Sequence, residues 1–251
     1  MSDAVPRGLA MAVTSSGAYG WLLLAGIAVS LGLWSRLTRR DSRLVLIYLG
    51  ALAGAFLGAK LIYLGAEGWL HWHDPDRWVV LATGKSITGA LLGGYAGVEI
   101  VKHAIGYRSP TGDWFAIVAP VSIMIGRVGC VLHGCCLGRP CTESWFTVRD
   151  VAGTVRWPAA QAELIFNAAA LAAVLLLRRR KLLPGQHFHL YLIAYGLFRF
   201  GHEFLRATPG ILGPISGYQI AALAVALLGL AGFVRRRKAA DPSLAAPARS
   251  R

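Results

Sequence analysis

Long apolar runs separated by short polar segments make up most of the chain. Runs that approach the length of a membrane-crossing helix, about 20 residues, lie at 18–34, 44–64, 86–105, 114–133, 158–177, 187–205 and 215–234. No polar segment is long enough for a separate soluble domain. The pattern therefore predicts an all-α integral membrane protein of about seven transmembrane helices, with one transmembrane domain over 1–238 and a disordered cytoplasmic tail over 239–251.

Two of these runs depart from a plain apolar helix. The third is rich in glycine and contains Glu99 and Lys102, so it could be partly re-entrant. The fourth is interrupted late by Gly126, Arg127 and Gly129, which suggests an irregular end buried in protein.

Composition and charge agree with a membrane protein. The chain is 55% hydrophobic and 15% charged, too few polar residues to cover a soluble globule of 251 residues. A net charge of +14 would suggest nucleic acid as a partner of a soluble protein. Here the basic residues form short blocks at the ends of apolar runs, so we expect a membrane and no nucleic acid. The positive-inside bias places the N-terminus outside and the C-terminus in the cytoplasm.

Several cationic side chains lie within the runs, where an ionisable group costs about 2.5–3.5 kcal/mol and normally faces protein or water. Lys60 lies about one turn from the outer end of the second run, where snorkelling and a functional role are both open. Arg127 lies between Gly126 and Gly129, and these glycines let a backbone or a ligand head group approach its guanidinium. We therefore interpret Arg127 as part of a site.

The sixth run carries the densest polar set. Tyr195, Arg199, Glu203 and Arg206 fall on one face at helical spacing. One interpretation is an Arg199–Glu203 ion pair that only joins helices. The other is that Arg127 and Arg199 converge on a phosphate, since a planar guanidinium donates two parallel hydrogen bonds. Glu203 would then orient one arginine, and Tyr195 could donate to a developing oxyanion.

Two further polar residues lie near the same outer face. Glu163, early in the fifth run, has either a structural or a catalytic role, and Tyr19 is either an interfacial aromatic residue or part of a site.

All four cysteines lie between positions 130 and 141. They are Cys130, Cys135, Cys136 and Cys141, with His133 among them. Three hypotheses remain open: two disulfides that pair Cys135 and Cys136 with Cys130 and Cys141, a soft-metal site of thiolates and His133, and a reactive thiol.

These motifs resemble the prolipoprotein diacylglyceryl transferases from about Tyr19 to Gln219. The most specific match is Gly126-Arg127-Val128-Gly129 followed by Gly134 and Gly138-Arg139-Pro140. Tyr195-Gly196-Leu197-Phe198-Arg199 with Glu203-Phe204-Leu205-Arg206 resembles the family's late-helix motif. Weaker similarities are Tyr19-Gly20, Gly58 to Tyr63, Pro158 with Glu163, and Gln219.

The resemblance implies transfer of diacylglyceryl from phosphatidylglycerol to the thiol of a lipobox cysteine on a preprolipoprotein, with release of glycerol phosphate. It implies a multi-pass protein of the bacterial inner membrane with no cofactor and no metal. The catalytic candidates are Arg127, Arg199, Glu203 and Tyr195. The substrate-binding candidates are Tyr19, Lys60, Tyr63, Thr88, Gly89, Gly126, Gly129, Gly138, Arg139, Glu163 and Arg206.

The chain also departs from the family pattern. Thr88 replaces a functional histidine, Cys130 an asparagine, Cys135 a glutamate and Cys141 a threonine. The general base is therefore open, with Glu203, Tyr195, His133, His202 or no side chain as the choices. Glycines 89, 93, 94 and 97 could leave gaps for lipid entry.

Two alternatives to the transferase remain. One is a thiol/disulfide- or metal-dependent membrane enzyme on the same scaffold, and the other is a non-catalytic lipid-binding protein.

Overall fold

The computed structural model describes Trp21, residues 24–32, 34–36 and 41–240, with side chains to residue 238. Tyr19 and most of the predicted cytoplasmic tail lie outside the described residues. Eight helices are present in the described part of the chain: α1 (Leu24–Arg36), α2 (Arg43–Ala66), α3 (Arg77–Thr83), α4 (Ile87–Ala104), α5 (Gly112–His133), α6 (Ala159–Arg179), α7 (His187–His202) and α8 (Gly217–Ala240).

Each predicted apolar run corresponds to a helix, and the short α3 is additional. Four helices, α2, α5, α6 and α8, are long and apolar enough to cross a membrane. The protein is therefore a helical multi-pass membrane protein. The other described elements are 3-10 turns at Gly68–His71 and Glu203–Leu205, and an antiparallel hairpin of β1 (Val148–Arg149) and β2 (Val155–Arg156). In the hairpin, Val148 faces Arg156 and Arg149 faces Val155.

The expected interruption of the fourth run is wrong. Helix α5 continues through Gly126, Arg127 and Gly129 and ends only at Gly134, which adopts the left-handed conformation with φ of 66°. Helix α4 is likewise unbroken from Ile87 to Ala104, and the Ser86 hydroxyl caps its start by accepting from the backbone N–H of Gly89. Both glycine-containing runs are therefore regular helices.

Helices α2 and α4 meet along a line of glycines. A Cβ atom on Gly89 would lie 2.2 Å from the backbone oxygen of Gly58, and one on Gly93 would lie 2.1 Å from that of Gly54. Small residues let helix backbones approach this closely in membranes. The expectation that these glycines leave gaps for lipid is therefore wrong, because the opposing helix fills the space. Glycines 94 and 97 also face α2.

Replacing Gly93 by Ala should destabilise the fold by about 1–3 kcal/mol, the usual cost of overpacking. Its new methyl group would also lie 2.8 Å from the Gly58 Cα. The matched control is Gly65→Ala in α2, where a Cβ meets nothing within 4 Å. Thermal unfolding in detergent measures both variants. Equal melting temperatures would contradict the close helix contact.

Helix α7 is held in the core by a similar contact with α8. A Cβ on Gly196 would lie 2.6 Å from the backbone oxygen of Ala222. Buried Leu192 and Tyr195 of α7 and Val225 of α8 belong to the same core. This packing fixes the helix that carries Tyr195 and Arg199.

Candidate active site

A buried glutamate on α6 joins three helices. Glu163 is fully buried, and its Oε2 accepts a hydrogen bond from Arg127 Nη2 of α5 at 2.6 Å. Its Oε1 accepts from the Tyr195 hydroxyl of α7 at 2.7 Å. Arg127 itself is only 6% exposed. The carboxylate therefore holds a guanidinium and a phenol in fixed positions at one end of the helix bundle.

A second pair of polar side chains supports this glutamate. Asn167 Nδ2 donates to the backbone oxygen of Glu163 at 2.8 Å, and the Tyr191 hydroxyl donates to Asn167 Oδ1 at 2.8 Å. Sequence reasoning did not single out Asn167 or Tyr191. The available signal was an amide one helical turn after Glu163 in an otherwise apolar run.

Glu203 organises the arginines at the end of α7. Arg199 forms an ion pair with it, and Arg206 Nε lies 3.5 Å from its Oε2. Its other oxygen accepts from the Thr208 hydroxyl at 2.6 Å. A carboxylate engaged on both oxygens is well placed to orient arginines and poorly placed to remove a proton. The structure thus contains the ion pair that the sequence suggested.

The site carries excess positive charge. Arg127 pairs with Glu163, and Arg199 and Arg206 both pair with Glu203. Among the arginines and carboxylates alone, three positive and two negative groups leave one positive charge, which matches a phosphodiester monoanion. Within the described residues, buried Arg127 Nε and Arg206 Nη1 have no hydrogen-bond partner. These donors remain for an anionic ligand.

The loop after α5 is tied to the end of α7. The Gly138 N–H donates to the Trp157 oxygen at 2.9 Å, and the Arg139 N–H donates to the Leu205 oxygen at 2.9 Å. Arg139 Nε also donates to the Arg206 oxygen at 2.9 Å. A Cβ on Gly138 would lie 2.6 Å from the Leu205 oxygen, so glycine is needed there.

Three of the four cysteines meet beside Arg127. The Sγ atoms of Cys130, Cys135 and Cys136 all lie within 4.8 Å of one another. Arg127 Nη1 donates to Cys130 Sγ at 3.7 Å. Hydrogen bonds from the Cys130 and Cys135 thiols hold the pKa of the Cys136 thiol below its usual range. All four cysteines are free thiols in the structure, which contains neither disulfide of the first hypothesis, and exposed Cys141 is outside the cluster.

Other predicted site residues form a separate group at the ends of α2 and α4. Lys60 Nζ donates to the backbone oxygens of Leu81 and Gly84, and the Tyr63 hydroxyl donates to the Val80 oxygen at 3.3 Å. Thr88 and Gly89 open α4, where the Thr88 hydroxyl lies 2.7 Å from that of Ser86. Among the described residues, no hydrogen bond or ion pair joins this group to the Arg127 centre.

The remaining candidate bases differ in their surroundings. His202 is buried, and its Nε2 accepts from Trp157 Nε1 at 3.0 Å, so that nitrogen is occupied. The Tyr195 hydroxyl donates to Glu163, and His133 is exposed at the end of α5.

The two glycines predicted to frame Arg127 differ in their surroundings. A Cβ on Gly126 would meet nothing within 4 Å, whereas Gly129 is buried.

These features define a helical membrane protein with a buried arginine–carboxylate centre suited to an anionic head group. A family model, prolipoprotein diacylglyceryl transferase, matches residues 10–235. The chain belongs to this family.

Two curated relatives align with this chain over most of their length. The chain is 34% identical to the phosphatidylglycerol–prolipoprotein diacylglyceryl transferase of Geobacter sulfurreducens, over 74% of this chain and 75% of that protein. It is 29% identical to the enzyme of the same name from Symbiobacterium thermophilum, over 87% of this chain and 88% of that protein.

Proposed function

We propose that the chain is a phosphatidylglycerol–prolipoprotein diacylglyceryl transferase. It moves the diacylglyceryl group of phosphatidylglycerol to the thiol of a lipobox cysteine and releases glycerol phosphate. The observation that carries the proposal is the Arg127–Glu163–Tyr195 centre with one surplus positive charge and unpartnered guanidinium donors. The names of the relatives support the same donor and acceptor.

We also propose seven membrane spans in the bacterial inner membrane, with the N-terminus outside and the C-terminus in the cytoplasm. Basic residues at the ends of α6 and α8 support this orientation. Alternate threading then brings the C-terminal ends of α5 and α7 and the start of α6 to the outer leaflet. The Lys60 and Thr88 group lies at the same end, because α2 ends and α4 begins there.

In the proposed reaction the acceptor thiol first loses its proton to water, and one C–S bond then replaces one C–O bond. The acceptor sulfur attacks the glycerol carbon, a C–S bond forms, and the C–O bond to phosphate breaks with its electron pair leaving on glycerol phosphate. Arg127, Arg199 and Arg206 stabilise the phosphate as its charge increases, which accelerates the step because the donors are positioned beforehand. Glu163 keeps Arg127 and Tyr195 in place.

The test is transfer by the purified full chain in phosphatidylglycerol nanodiscs to a lipobox peptide, read by mass. The expected product is the peptide with one added diacylglyceryl group, together with glycerol phosphate. Nanodiscs of phosphatidylethanolamine and a peptide with Ser in place of its Cys should give no product. A peptide of unchanged mass under all conditions would contradict the proposal.

The second candidate is a thiol/disulfide- or metal-dependent enzyme on the same scaffold, which the Cys130, Cys135 and Cys136 cluster favours. A Cys136→Ser variant with full diacylglyceryl transfer would count against it. Phosphatidylglycerol binding without turnover would favour a lipid-binding protein instead.

A further inference from the structure

The thiol cluster has the dimensions of a metal site. Three Sγ atoms within 4.8 Å of one another need to close by only about 1 Å to reach the roughly 3.8 Å spacing of sulfurs around tetrahedral Zn²⁺, given Zn–S bonds of about 2.3 Å. Thiolate sulfur is the ligand type that selects zinc or copper over harder cations. The three cysteines therefore provide the protein ligands of a site with one open position.

The backbone is shaped to bring these thiols together. The Cys135 N–H bonds to the Cys130 oxygen at 3.1 Å, and the Gly134 N–H bonds to the Val131 oxygen at 3.2 Å. With Gly134 left-handed, this is a Schellman motif, which returns the chain onto the last turn of α5. Cys136 then adopts φ of 59°, an unfavourable conformation for a residue with a Cβ. The strained residue lies where its thiol completes the cluster.

The position of the cluster favours a cation. It lies at the C-terminal end of α5, where the aligned peptide dipoles give the helix a partial negative charge. This partial negative charge destabilises three thiolates without a metal ion and stabilises a bound cation. A zinc ion with three thiolates carries one negative charge, and Arg127 lies 3.7 Å from Cys130.

We propose that Cys130, Cys135 and Cys136 bind Zn²⁺ as three thiolates, and that the fourth coordination position takes the sulfur of the acceptor cysteine. The first part rests on the cluster alone. The second part rests on the proposed transferase function. The proposed zinc site departs from the expectation, implied by the family resemblance, that the protein uses no metal.

The proposed site supplies the deprotonation of the acceptor thiol, a step for which this chain has no histidine at position 88. The family resemblance places Thr88 where a histidine is expected, and a threonine hydroxyl cannot take a proton from a thiol at neutral pH. Coordination to zinc deprotonates a thiol directly. The acceptor proton passes to water, and the zinc-bound sulfur attacks the glycerol carbon. The breaking C–O bond leaves its electron pair on the phosphate held by Arg127.

Metal binding is tested on the reduced full chain in detergent, using Zn²⁺ and, as a spectroscopic probe, Co²⁺. Wild type should retain about one Zn²⁺ per chain and give intense sulfur-to-cobalt charge-transfer absorption with Co²⁺. Each of Cys130→Ser, Cys135→Ser and Cys136→Ser should weaken Zn²⁺ binding at least about 100-fold. Cys141→Ser is the matched control, because Cys141 is outside the cluster, and it should bind as wild type does.

Two results would overturn the metal site. One is Zn²⁺ binding by wild type no tighter than by the three cluster variants. The other is a wild-type chain that, after purification and without reductant, is two hydrogens lighter and takes up no Zn²⁺ once reduced.

The acceptor position is tested separately by adding lipobox peptide to the Co²⁺-loaded chain. The expected result is a stronger sulfur-to-cobalt band with the Cys peptide and no change with its Ser counterpart. An unchanged spectrum, or full transfer by zinc-free protein, would overturn the acceptor role. Zinc binding without any transfer would contradict the proposed transferase function but would support the metal site. Failure of the metal site and failure of the proposed function are therefore distinguishable.

Discussion

Replacing Arg127 by Lys should lower the rate of diacylglyceryl transfer at least about 100-fold, the usual loss when one positioned donor is removed from a charge-stabilising site. The planar guanidinium holds Glu163 through Nη2, contacts Cys130 through Nη1 and keeps Nε without a partner. A lysine ammonium lacks the planar, fixed arrangement of donors that is needed to make these three contacts at once. The initial rate with the lipobox peptide measures the effect.

The control for this prediction is Arg149→Lys. Arg149 is exposed in the β-hairpin and pairs with Glu143, so its replacement should leave the rate unchanged. Equal rates for Arg127→Lys and wild type would remove Arg127 from the mechanism.

Replacing Glu163 by Gln should destabilise the fold by about 3–5 kcal/mol, because it leaves the buried Arg127 without its counter-charge. The amide keeps the side-chain volume, but its single oxygen can replace only one of the two carboxylate oxygens that accept from Arg127 and Tyr195. The free energy of unfolding in mild detergent measures it. Transfer should fall as well, since Arg127 loses its fixed position.

Two variants separate this effect from a general loss of packing. Glu143→Gln removes an exposed ion pair and should cost no more than about 1 kcal/mol. Tyr195→Phe removes one hydrogen bond to a carboxylate and should cost about 1.5–3 kcal/mol. A Glu163→Gln variant as stable as Glu143→Gln would show that the buried pair contributes little.

The helices could be predicted from the sequence because the apolar runs match the thickness of a bilayer. The role of the glycines could not be predicted from the apolar pattern. Gly126 and Gly129 suggested a broken helix, and Gly89 and Gly93 suggested gaps, yet all four lie in regular helices. A glycine marks close approach as readily as a break, and only the position of the neighbouring helix decides which occurs.

The site was predictable where its residues share one helix. Arg199 and Glu203 are one turn apart, so their ion pair follows from spacing. The central place of Glu163 did not follow, because its partners come from α5 and α7. Thr208 and Ser216, which bind Glu203, lie beyond α7 and carry no local signal.

The cysteines show a similar limit. Their spacing left disulfides, a metal site and a reactive thiol open. The Schellman turn at Gly134 brings Cys135 back to Cys130. The Cys141 N–H instead donates to the Val155 oxygen, which holds Cys141 beside the β-hairpin. Turn geometry therefore decided which thiols meet.

The most direct test of the proposed site is phosphatidylglycerol binding to Arg127→Ala, Arg199→Ala and the double variant in detergent. If both arginines contact one lipid phosphate, each single variant should weaken binding about 10-fold or more, and the double variant should weaken it by less than the product of the two. Binding that is unchanged in both single variants would contradict a shared phosphate site.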